Sequence, residues 1–158
     1  MTFGTLDYVM KIYQLREQFS NTYSDITDYV SIGDAESDYK DFDIVVNLNF
    51  PQNGVEHGEI RKTIENGKII YKIGLYDSVD EDIAPLLDKV IPELLEQKDK
   101  RILFHCFAGI SRSVSFAIAY FGKLYGMTYQ DALEMIRNER RFVNPNPKFA
   151  STLMNYLK

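Results

Sequence analysis

Residues 105–113 read HCFAGISRS and hold the chain's single cysteine, one of its two histidines, a glycine and an arginine. A thiol, a flexible backbone point and a guanidinium this close together suit the capture and attack of a tetrahedral anion. Arg112 offers a planar fork that matches two phosphate oxygens, and Gly109 permits a backbone conformation or a close approach that a β-carbon obstructs. If a strand ends at Phe104 and a helix begins near Arg112, the intervening amides form a concavity backed by the helix's positive end, which is an oxyanion site. The same field favours the thiolate of Cys106, the form in which cysteine is a nucleophile. One loop then binds the anion and arms the attacking sulfur. At ordinary residue usage, histidine, cysteine, glycine, arginine and a hydroxyl residue fall at these spacings in on the order of one single-cysteine chain in 10⁵. The competing reading is an inert core thiol, since free cysteine is among the most buried residue types.

The rest of the chain limits the alternatives. With 158 residues, 45% hydrophobic and 26% charged, it has the size and composition of one domain, 1–158. A formal net charge of −5 argues against generic adhesion to nucleic acid or anionic lipid, so any polyanion site must be local. One cysteine precludes an intrachain disulfide and a multi-cysteine metal site; no metal and no cofactor are expected. The first residues, MTFGTLDYVMKIYQLREQF, intersperse charges with apolar positions and read as neither a signal peptide nor a membrane span. The cytoplasm is the expected location, with the nucleus also open.

Elements that could position the loop follow from periodicity. Leu6, Val9, Met10 and Tyr13 have helical spacing, which predicts an amphipathic helix over 5–19 within an N-terminal extension, 1–24. Packing onto the domain, contributing to substrate choice and mediating a homodimer are all open to it. The stretches 29–33 and 43–50 are rich in β-branched residues and read as strands, the second central. Asn66-Gly67 between two alternating runs predicts a tight hairpin with strands near 59–64 and 69–75. A helical segment covers 82–97, with Pro92 expected to kink or split it. RILFHC is a short strand, and SVSFAIAYFGKLYG a helix stopped by Gly126. Thr128 and Asp131 are spaced as a capping box for the next helix, and a last helix runs from about 147 to 157. Strands alternating with helices predict an α/β fold, a central mostly parallel sheet flanked by helices, with a strand-loop-helix phosphate site.

HCFAGISRS resembles the signature loop of the cysteine-dependent protein tyrosine phosphatase superfamily, in the HC-x-x-G-x-S-R-S form common among dual-specificity phosphatases. ITDYVSIGDAES resembles the family's leading strand, VVNLN its central strand, and IAYFGKLYGMTYQDALEMIRNERRFVNPNPKF its closing helices and Pro-Asn element. The likeness is weakest over 1–24 and 51–70. It implies hydrolysis of phosphomonoesters on phosphotyrosine, phosphoserine and phosphothreonine of proteins, through a cysteinyl-phosphate. By the resemblance, Cys106 is the nucleophile, Arg112 and the loop amides of Phe107, Ala108, Gly109, Ile110 and Ser111 hold the phosphate, and Ser113 hydrogen-bonds the sulfur. His105 orders the loop and is no general base.

The leaving oxygen needs a proton, so a carboxylic acid must come from elsewhere. LYDSVDEDI supplies Asp77, Asp80, Glu81 and Asp82. Most carboxylates in such a run are solvated surface charge, and Asp82 is expected to N-cap the helix that follows. Asp77 comes directly after a strand, where the family carries its acid; Asp80 is the fallback. The chain has no tryptophan, unlike the Trp-Pro-Asp acid loop usual in phosphotyrosine-restricted relatives, which favours a shallower, dual-specificity pocket. Phosphoinositide-directed relatives carry lysines within the loop and RNA 5′-phosphatases carry His-Gly and Asn-Arg-Thr; both features are absent here. A phosphoprotein-binding module without turnover is the alternative of a different class. Phe107 departs from the expected small or polar residue, with packing beneath the loop and edging the pocket both open.

Overall fold

A six-stranded sheet in the order β1-β2-β6-β3-β5-β4 forms the framework of this computed structural model, which describes residues 22–158. The strands are β1 Tyr23–Asp25, β2 Val30–Gly33, β3 Ile44–Asn47, β4 Ile60–Glu65, β5 Lys68–Ile73 and β6 Ile102–His105. The inner four, β2, β6, β3 and β5, are parallel, and β1 and β4 add antiparallel edges. β2 and β6 are buried along their whole length, as near-continuous apolar runs in a parallel sheet should be. The helix predicted over 5–19 lies outside the described residues.

Alternation along the strands assigns the two faces. Ile44, Val46, Tyr71, Ile73, Ile102 and Phe104 join one large core with the helices, while Val45, Ile70 and Leu103 meet Phe42 in a small cluster on the opposite face. The helices are α1 Ala84–Leu95, α2 Arg112–Tyr125, α3 Tyr129–Glu139 and α4 Pro147–Tyr156. α2 is the central one: residues Arg112 to Gly122 are all buried, and it packs against β6 and the other three helices. Among the described residues no helix is long and apolar enough to cross a membrane.

Local chemistry accounts for the boundaries. Asn66 and Gly67 both take positive φ, 52° and 76°, the left-handed pair that a two-residue hairpin matching the strand twist requires. Gly126 ends α2 at φ 67°. Three expectations are corrected. Of the kink or split expected at Pro92, the split does not occur: the helix runs unbroken from Ala84 to Leu95, with Pro92 and Asp88, whose carbonyl loses a partner, both exposed to solvent. Asp82 is not the N-cap of α1; Ile83 is, and the Asp82 carboxylate instead accepts the amide of Ala84 at 3.1 Å. The strand read over 43–50 ends at Asn47, because the Asn47 side chain accepts the amide of Asn49 at 2.9 Å and turns the chain. The three-residue β1 gave no periodic signal.

Thr128 caps α3 by accepting the amide of Asp131 at 3.1 Å. Thr128→Ala is expected to lower unfolding stability by about 1 kcal/mol, read as a shifted urea midpoint at unchanged slope.

Candidate active site

The loop 106–111 leaves β6 between two parallel neighbours, with His105 in register with Gly33 of β2 and Asn47 of β3. Five successive carbonyls of this stretch are taken by groups elsewhere. Phe107 O accepts the amide of Ala35 at 3.0 Å and Ile110 O that of Asn144 at 2.8 Å. Arg140 donates from Nη2 to Ala108 O at 3.3 Å and from Nε to Gly109 O at 2.9 Å. Ser111 O receives both the amide and the hydroxyl of Ser115, at 2.9 and 2.7 Å. The amides of residues 108–112 donate to no group among the described residues. With the carbonyls engaged outside, these donors are left for an anion at the N-terminus of α2. Gly109 meets both demands foreseen for it: φ is 69°, and a β-carbon would lie 2.5 Å from Arg140 Nη2 and 2.6 Å from Gly33 O.

The reactive side chains converge on that loop. Cys106 is buried, with Sγ 3.2 Å from Oγ of the fully buried Ser113. Arg112 is buried too; its Nη1 donates to Phe50 O at 2.9 Å and to Leu75 O at 3.0 Å, while its Nε has no partner. A buried guanidinium N–H left unsatisfied is costly unless a ligand accepts it, so one end of the fork is anchored and a donor is kept back. Among the described residues no group of His, Cys, Asp and Glu is placed to hold a metal ion.

Of the four carboxylates only Asp77 reaches the loop. Its Oδ1 accepts the Ser111 hydroxyl at 2.7 Å and the Asn146 side-chain amide at 2.9 Å, and Ser111 Oγ accepts the Asn146 main-chain amide at 3.0 Å. Asp80 sits in an exposed turn with its amide on Ser78 Oγ, and Glu81 is engaged by His57 and the amide of Tyr76. Phe107 is exposed and so does not pack beneath the loop. His105 is buried against the main chain of Cys106; burial pushes its pKa down to about 4, and Nδ1 has no hydrogen-bond partner. Its ring is therefore neutral at pH 7.

Residues 26–158 match the family described as "Dual specificity phosphatase, catalytic domain". The chain belongs to that family. It is 38% identical over 91 residues, 55% of its length, to a probable dual specificity protein phosphatase of Dictyostelium discoideum, and 30% identical over 148 residues, 89% of its length, to the Arabidopsis thaliana protein-tyrosine-phosphatase MKP1. The chain spans 23% and 18% of those two relatives. Among solved structures it resembles human DUSP28, with TM-score 0.72 and 21% identity over 87% of this chain and 94% of that one. It also resembles PTPMT1 in complex with PI(5)P, with TM-score 0.71 and 17% identity over 87% and 95%. These structural likenesses establish the dual-specificity phosphatase fold.

Two further residues of this dual specificity phosphatase domain at the site were not singled out by the sequence. Arg140 lies beside Arg141 in NERRF, yet the first is buried and the second exposed. Besides the two loop carbonyls it donates to Ser24 Oγ at 3.0 Å; burial lowers its pKa, and electrostatic interaction with Asp34 and Cys106 opposes that shift. Asn146 caps α4 through Phe149 N at 3.0 Å with the same side chain that holds Asp77. Its helix-cap pattern, Asn-Pro, was the only available hint.

Arg140→Met is expected to weaken binding of a tetrahedral oxyanion such as vanadate at the loop, because the Ala108 and Gly109 carbonyls lose their donors and the amides their fixed direction; isothermal titration of the parent and the variant checks this. In the unfolded chain His105 takes a proton below its ordinary 6.5, in the fold only below about 4. Over that window the unfolded chain binds more protons, so stability is lost as pH falls, by about 3 kcal/mol. Urea midpoints from pH 7 to 4 should decline less steeply for His105→Asn than for the parent.

Proposed function

We propose that this chain hydrolyses phosphate monoesters on phosphotyrosine and on phosphoserine or phosphothreonine of protein substrates, through a cysteinyl-phosphate. The observation that carries this reading is the outward capture of the carbonyls of residues 107–111, which leaves inward donors and an unspent Arg112 Nε around one buried sulfur. Such preorganised donors supply the charge stabilisation and positioning on which phosphoryl transfer chiefly depends.

In the first step the Cys106 thiolate attacks phosphorus in line with the ester oxygen. The S–P bond forms, the P–O bond to the substrate breaks, and Asp77 gives its proton to the departing oxygen. In the second step Asp77, now a carboxylate, takes a proton from water as that water attacks phosphorus; the S–P bond breaks and inorganic phosphate leaves. The Ser113 hydroxyl, 3.2 Å from Sγ, donates to the sulfur as it regains negative charge. His105, buried and neutral, shapes the start of the loop without exchanging protons.

Protein substrates are favoured over phosphoinositides by the uncharged loop: Phe107, Ala108, Gly109, Ile110 and Ser111 offer no cation for a further phosphate. The structural neighbour bound to PI(5)P makes the lipid the competing substrate to include in the assay.

Hydrolysis of aryl phosphate and phosphopeptides is expected in the presence of a metal chelator, and faster on phosphopeptides than on phosphoinositide vesicles. Cys106→Ser should abolish it, and Arg112→Lys should lower kcat about 10²–10³-fold. Asp77→Asn should lower kcat about 10²-fold or more on esters with poor leaving groups. No turnover by freshly reduced protein that still binds phosphopeptide would make it a binding module; faster vesicle hydrolysis would make it a lipid phosphatase.

A further inference from the structure

Two loops outside the signature sequence complete the site. Residues 48–59, after β3, bring the carbonyl of Phe50 to Arg112, and residues 74–83, after β5, bring both the carbonyl of Leu75 and Asp77. The first of these loops lies in the region where the likeness to relatives is weakest, and it contains the chain's other histidine. His57 Nε2 lies 2.6 Å from Glu81 Oε1, and the same oxygen accepts the amide of Tyr76 at 3.0 Å. Because a carboxylate only accepts, Nε2 carries the proton. Glu81 has 13% of its side chain exposed, against 58% for His57, so the carboxylate in this pair is the part enclosed by the loops.

The rings reinforce the same junction. Phe50 packs edge-on against Tyr76 with centroids 4.7 Å apart, and His57 lies 5.4 Å from Tyr76 and 6.0 Å from Phe50. Glycines hold the loop bases together, with Gly58 N on Gly74 O at 2.7 Å and Gly74 N on Glu59 O at 2.9 Å. Thus Glu81 grips the amide immediately before Asp77, and His57 grips Glu81. The Asp77 carboxylate is fixed at its far end by Ser111 and Asn146, while Glu81 holds the main chain one residue before it.

We propose that His57 is a positioning residue for proton transfer: through Glu81 it locks the acid loop to the loop that anchors Arg112, so that the acid and the phosphate-binding guanidinium are set as one unit. The proposal rests on Asp77 being the acid. Its signature is a leaving-group effect, because misplacing a proton donor slows departure of a basic alkoxide or phenoxide far more than that of an electron-poor phenolate.

Two exposed-site substitutions separate hydrogen bonding from ring packing. His57→Phe keeps a ring against Phe50 and Tyr76 and deletes the donor to Glu81; His57→Gln deletes the ring and keeps an N–H donor. The readout is the ratio of kcat on an aryl phosphate with an electron-poor phenol to kcat on phenyl phosphate. His57→Phe is expected to raise that ratio roughly tenfold, a fraction of what a general acid contributes, and His57→Gln to leave it near the parent's. Added to Asp77→Asn, His57→Phe should raise it no further. If His57→Phe leaves the ratio unchanged, or lowers both rates equally with a falling melting temperature, the positioning role is wrong. If Asp77→Asn itself leaves the ratio unchanged, the acid assignment fails instead.

Discussion

The orientation of five peptide groups governs this site. A loop of six residues between β6 and α2 has no secondary structure to consume its amides and carbonyls, and buried backbone groups do not stay unpaired cheaply. Here the carbonyls are consumed by Ala35, Arg140, Asn144 and Ser115, from four separate places in the chain. The amides, on the opposite side of the same peptide planes, are left without a partner among the described residues. Arg140 contributes most, because one planar guanidinium satisfies two adjacent carbonyls and a hydroxyl of β1 at once.

The second constraint is the anchoring of Arg112. A guanidinium free to rotate would lose entropy on each binding event, whereas Nη1 bonded to Phe50 O and Leu75 O leaves little motion to lose. Those two carbonyls lie in the loops that follow the parallel neighbours β3 and β5, so the guanidinium is held from two adjacent strand exits. Asp77 lies two residues beyond Leu75, and the same loop therefore delivers both an anchor for Arg112 and the carboxylate that meets Ser111. Asn146 closes the arrangement from α4, spending its carbonyl oxygen on a helix amide and its nitrogen on Asp77. A residue that looks like an ordinary helix cap is thereby shared between stability and chemistry.

What could be read from the chain alone were features whose cause is local. The Asn66-Gly67 turn, the Gly126 stop and the Thr128 cap each follow from the conformational or hydrogen-bonding demands of one or two residues, and each is found where expected. The parallel sheet followed from apolar runs alternating with helical periods. Cys106, Gly109 and Arg112 could be singled out as candidates because the loop compresses them into nine positions. Asp82 was misjudged for a related reason: which of two adjacent residues becomes the cap depends on how the loop arrives.

The amino-acid sequence by itself determined the family, the candidate loop around Cys106 and the order of the elements, since these reside in spacing along the chain. Only the tertiary structure showed which of four neighbouring carboxylates contacts the loop, which of two adjacent arginines is buried against it, and that Asn146, Phe50 and Leu75 meet these groups at all. The pairings of Asp77 with Asn146, Arg140 with Gly109 and Arg112 with Phe50 span 69, 31 and 62 residues. No local pattern records a contact made across such distances; the packing of α2 against the sheet is what brings those groups within hydrogen-bonding reach.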